Sequence, residues 1–231
     1  MKKIIALQLA MVCALSFFAT GAGALTVVES LQAFVETEER FLDNIAHSAP
    51  WNEISVDEAL PLDPISELWG KFRPLFNLGV SKDSMEREKN AFWWKSVTYD
   101  EQGNKFRIVC EYPEEGREIL EGFYDPASDR LICRKVSGEG TSRGIWEDIE
   151  FEYMKTDFGY VARFYSASYG VVHKLAIKGK EGIVSWGDMG FDSFYASMDF
   201  PKENRMWYEI SGNRFIIKPW DGSEREYVIK R

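Results

Sequence analysis

The chain has 231 residues, is 45% hydrophobic and carries a formal charge of −9. That length suits a single domain after processing. The acidic balance argues against nucleic acid, whose phosphates it would repel, and against docking on anionic lipid.

Residues 1–24 read as a secretory signal peptide. Lys2 and Lys3 form a positive start, Ile4 to Thr20 an apolar run, and Ala22-Gly23-Ala24 a small-x-small cleavage site. Cleavage before Leu25 removes two lysines and takes the charge to −11. The expected compartment is the bacterial periplasm or the exterior, and no transmembrane helix is expected after cleavage.

Residues 25–90 read as a helical segment. Thr26-Val27-Val28-Glu29 has the form of a capping box. Val28, Leu31, Val35, Leu42 and Ile45 follow at near-helical spacing, and Pro50 closes the helix. His47, near the helix end, suits the dipole there. Ser48 to Asp63 reads as an irregular connection. A second short helix is expected from Pro64, with Ile65, Leu68, Trp69 and Phe72 on one side.

From about Ala91 to Arg231 the period changes to two. Phe106, Ile108, Cys110 and Tyr112 alternate with charged neighbours; so do Ile149, Phe151 and Tyr153, and Phe194, Ala196, Met198 and Phe200. Turn clusters punctuate the region, which marks antiparallel sheet with one buried face. The turns divide it into up to twelve strands, more than a sheet usually holds without curling or splitting. The expected fold is therefore β-rich α+β: N-terminal helices packed on a large antiparallel sheet, as a half-barrel, barrel or sandwich. Gly103–Ile108 and Gly212–Ile217 are alike in sequence and read as two similar hairpins.

Few residues point to chemistry. Gly140-Thr141-Ser142-Arg143-Gly144 matches a hydrolase elbow by letters, but the following segment alternates as a strand where the elbow needs a helix. His173 shares a face with Val171, Leu175 and Ile177 and reads as half-buried, bonded to backbone. The histidines and cysteines lack ligand spacing, so neither metal nor cofactor is expected. Cys110 and Cys133 remain after cleavage, and an oxidising compartment allows a disulfide between them. In a simple meander they would be second neighbours, about 9.6 Å apart, beyond the ~7 Å limit. Either the strand order differs or both are buried thiols.

Glu147, Asp148, Glu150 and Glu152 cluster on one predicted strand, the last three on one face. Such a run reads as a solvated face; paired carboxylates could also serve calcium or sugar chemistry. Aromatic residues are the other signal. Phe92-Trp93-Trp94 and Met206-Trp207-Tyr208 put rings on both faces of their strands. Trp93, Trp94, Trp186, Trp207 and Trp220 are the candidate ligand contacts.

Ala91-Phe92-Trp93-Trp94-Lys95, Lys105-Phe106-Arg107 and Phe123-Tyr124-Asp125-Pro126 resemble pieces of the early strands of the periplasmic lipoprotein carriers. Nothing after Val136 matches them. The resemblance implies a concave sheet that binds acyl chains under a helical lid. Read by itself, the chain points to an exported, non-enzymatic envelope protein that binds an apolar or amphipathic ligand or another protein. The alternatives are a hydrolase of envelope polysaccharide using Asp148 and Glu150, and a small outer-membrane barrel. The ending Lys230-Arg231 and the lack of evident aromatic girdles weigh against the barrel.

Overall fold

A computed structural model describes residues 26–54, 87, 89–90, 93–167, 170–188 and 194–229. The signal peptide, most of the connection, the helix expected from Pro64, and Phe92 lie outside the described residues.

Helix α1 spans Val27–Ser48. Its start is the expected box: the Glu29 N–H donates to Thr26 Oγ1, and the Thr26 N–H donates to the Glu29 carboxylate. The buried stripe is Leu31, Phe34, Glu38, Phe41 and Ile45, with Ser30 beside it.

Among the described residues eleven antiparallel strands follow: β1 Ser96–Gln102, β2 Lys105–Glu111, β3 Arg117–Asp125, β4 Arg130–Glu139, β5 Glu147–Lys155, β6 Tyr160–Ser166, β7 Val171–Lys178, β8 Glu181–Asp188, β9 Met206–Ser211, β10 Arg214–Lys218 and β11 Arg225–Val228. They form one open sheet in chain order, with β1 and β11 at its edges. Short turns permit this for every neighbouring pair but β8 and β9, since antiparallel neighbours need only a hairpin between them. The two similar segments are hairpin turns, in which the Asn104 and Asn213 carbonyls accept from Tyr124 and Ile229 of the adjoining segments.

Alternation gives the sheet two faces. One face carries Ile108, Leu131, Phe151, Tyr153, Leu175 and Tyr208, all buried with α1 in the main core. Phe34 stacks on Tyr153 at 4.6 Å and meets Tyr160 edge-on at 5.4 Å. The Ser30 hydroxyl bonds Asp129 in the β3–β4 turn, and Asn44 donates to the Lys180 carbonyl in the β7–β8 turn at 2.7 Å. Fourteen residues of helix rise about 21 Å, close to the ~19 Å of four strand spacings, so α1 crosses the strands from β4 to β8. Gly182 permits this approach: a Cβ there would lie 2.4 Å from the Ala176 carbonyl and 3.1 Å from the Phe41 ring.

The other face is partly covered by residues 194–204. This segment corrects the strand expected from Phe194 to Phe200. It runs irregularly into a 3-10 turn, Phe200–Glu203, because the Asp199 N–H bonds Ser197 Oγ and Pro201 has no N–H for a ladder. Phe200 is fully buried. The Asn204 amide donates to the Val172 carbonyl and Ser185 Oγ, both at 3.0 Å. Trp207 packs beneath this cover in a second small core with Ile183 and Ile216.

Candidate functional site

The five tryptophans do not form one site. Trp186 and Trp220 meet edge-on at 5.1 Å on the helix-covered side. Trp207 lies on the opposite face, with Lys202 Nζ 5.1 Å from its ring centre. Trp93 and Trp94 precede β1 and so lie on no strand, a correction to the expected placement. Trp93 takes a left-handed backbone (φ 61°), which an extended strand cannot contain. Trp94 is buried and Trp93 is 80% exposed.

Cys110 and Cys133 are both free and buried, so the disulfide is not formed. Register explains it. Cys133 lies opposite Gly122, which faces Phe106, so Cys110 is two strands away, on β2, and four residues further along it. Burial, with Glu118 nearby, pushes the Cys110 thiol up to about 12. Burial raises Cys133 as well. Neither is a nucleophile at neutral pH.

Gly140–Gly144 is a turn between β4 and β5, closed by the Thr141 N–H to the Gly138 carbonyl. No helix follows Ser142, so the elbow geometry is absent there. His173 departs from expectation. It is 1% exposed, and Nδ1 has no hydrogen-bond partner. Among the described residues no group of histidine, cysteine or carboxylate side chains is placed to hold a metal.

The acidic strand is β5, and register turns its run of charge into pairs. Asp148, Glu150 and Glu152 share the open face, as expected, but that face is not simply solvated. Arg134 grips Asp148 through two bonds of 2.8 and 2.6 Å. Glu152 is 4% exposed, held by Arg130 on β4 and Arg163 on β6. Phe194 lies near both guanidinium groups, 5.6 and 5.9 Å from its ring centre. The Arg134 hydrogen bonds hold the Asp148 carboxyl below its ordinary range. A general acid must keep its proton near neutral pH, so Asp148 is unsuited to that role.

A site lies across the open face of these strands. A groove of about 690 Å³ runs across the open face of β1 to β6. Phe123 and Ile132, 38% and 39% exposed, form its apolar centre. Lys105, Arg107, Glu121, Arg134, Glu150 and Arg163 surround them, and their stems add further apolar wall. Phe106, Gly122, Cys133 and Phe151 lie between these positions as floor.

None of the candidate tryptophans lines this groove. Its sequence signal is a break in alternation. Phe123-Tyr124 and Leu131-Ile132 each place adjacent apolar residues on opposite faces.

No family model, curated protein or solved structure matches the chain.

Proposed function

We propose that the protein is an exported, non-catalytic binding module of the bacterial envelope that holds an amphipathic ligand on the open face of its sheet. The groove carries this reading. Its volume falls in the range of small-ligand sites, about 300–1,000 Å³. An apolar tail over Phe123 and Ile132 would cover surface that water now wets, contributing roughly 1 kcal/mol at each ring or branch. A polar head would meet the surrounding arginine and glutamate side chains. We further read the sheet as a half-barrel curled around α1, because a twisted sheet of this width tends to curl.

The hydrolase is the weaker reading, since Asp148 is tied to Arg134 in the ionised form. An outer-membrane barrel needs closure. Among the described residues β1 and β11 are edges, and each pairs on one side only.

The test is titration of the processed protein with a fluorescent fatty acid. Saturable binding is expected, weakened about tenfold by Phe123→Asp or Ile132→Asp, since each places a charge against the tail. Both side chains are partly exposed, so the circular dichroism spectrum should hold. Affinity unchanged in both variants would remove the groove from the reading. Export is tested separately: the secreted protein should begin at Leu25.

A further inference from the structure

A second cleft, of about 550 Å³, lies where the β2–β3 and β4–β5 turns meet, beside the residues that precede β1. Three rings line it, Trp93, Tyr112 and Trp146, together with Pro113, Glu114 and Glu115. Among the described residues, no lysine or arginine lines it.

The rings are held in place by backbone rather than by each other alone. Tyr112 and Trp146 stack at 5.9 Å with 28° between their planes. The Trp146 ring rests on Gly138: a Cβ there would lie 2.3 Å from it, and Gly138 has φ 92°, which favours glycine. The Trp146 N–H donates to the Ser137 carbonyl, and the Tyr112 N–H to the Gly116 carbonyl, fixing both turns. Trp146 is nevertheless 49% exposed and Trp93 80% exposed. Trp93 and Trp146 thus keep ring surface accessible at the cleft, beside Glu114 and Glu115.

Aromatic faces carry negative potential, and rings arranged around a cleft attract cations that are too weakly hydrated to prefer water. Carboxylates at the rim add the same sign. We infer that this cleft is a binding site for a quaternary ammonium group, independent of the open-face groove. Simple metal cations are excluded by the same chemistry, because they require several oxygen ligands and the cleft offers mainly rings. An anionic group would face Glu114 and Glu115 without a compensating charge among the described lining residues. A choline moiety fits whether it is a free solute or the head of a lipid, since both present the same trimethylammonium.

Calorimetric titration with choline tests the inference, with its neutral isostere 3,3-dimethylbutan-1-ol as the control. Choline should bind saturably and the isostere at least about tenfold more weakly, because only the cation gains from the ring faces. Trp93→Gly should weaken choline binding about tenfold, while glycine readily accepts the left-handed backbone and keeps the fold. A Glu114→Gln/Glu115→Gln double variant should lose about threefold at low salt and little at high salt, as exposed charges do. Ile132→Asp should leave choline binding unchanged, which separates this site from the groove. Flotation with phosphatidylcholine vesicles, against phosphatidylglycerol vesicles, distinguishes the sources. Capture by the former that free choline competes away identifies a lipid head; choline binding without capture identifies a soluble cation. Equal affinity for choline and the isostere, or choline affinity unaffected by Trp93→Gly, overturns the site.

Discussion

The His173 imidazole sits 5.9 Å from the Phe164 ring and 6.4 Å from Trp186, with no water-facing edge. Burial lowers its pKa from 6.5 to about 4. The unfolded chain therefore takes up a proton near pH 6.5 that the folded chain refuses until about pH 4. His173 stabilises the fold fully above pH 6.5 and progressively less as pH falls through 4. The span corresponds to roughly 3 kcal/mol. Urea midpoints measured from pH 8 to pH 4 should fall more steeply for the parent than for His173→Leu, which fills the same apolar site without a titrating group. Parallel curves would show that His173 is not the group responsible. Glu152 makes the opposite case, a buried charge that is fully paired. Its removal in Glu152→Ala would leave the Arg130 and Arg163 guanidinium groups facing one another beneath Phe194. Both arginines keep some solvent contact, so the expected loss is about 2–3 kcal/mol, at or below the low end for a broken buried pair. Chemical denaturation measures it.

At the scale of elements, the Phe34 ring ties α1 to the sheet. Phe34 is fully buried and packs on Phe151, Tyr153 and Tyr160, which belong to β5 and β6. Phe34→Ala should cost about 3–5 kcal/mol, the range for emptying an aromatic site in a packed core. Thr26→Ala should cost only about 1 kcal/mol, because it removes one cap. Thermal melts of the two variants should keep that order. The helix was legible in the sequence at its ends, where capping box and proline act locally. Its buried stripe was harder to read, because Glu38 stands in the middle of it and Val28 and Val35 compete with Phe34 and Phe41 as apolar positions. The same division holds in the sheet. Two-residue alternation located β2 and β5, whose one face is dry. It misread residues 194–200, which alternate in polarity but lie across the sheet instead of within it. Partners were the least legible feature: Glu152 finds Arg130 and Arg163 only through register between three strands, and a strand sequence does not state its register. The groove was hidden for the same reason, since Phe123 and Ile132 become neighbours only when β3 pairs with β4.

In the whole molecule, local and distant contacts are divided between the sheet and the helix. Every strand pairs with the next in sequence, so the sheet can assemble by successive hairpins, closed by short loops except between β8 and β9. Helix α1 instead meets partners far along the chain: Ser30 bonds Asp129, 99 residues away, and Asn44 bonds Lys180, 136 residues away. Closing such loops is an entropic expense that only a largely formed sheet can offset. We therefore expect the helix to dock after the rate-limiting step. A side chain that acts after that step should alter unfolding much more than folding. Stopped-flow measurements in urea should then show Phe34→Ala raising the unfolding rate with the folding rate nearly unchanged. Leu120→Ala, in the centre of β3 and 2% exposed, should slow folding, because its contacts with Ile108 across the β2–β3 pair belong to the early hairpins. If Phe34→Ala slows folding as much as Leu120→Ala does, the helix and sheet form together, and the division by contact distance does not set the order of events.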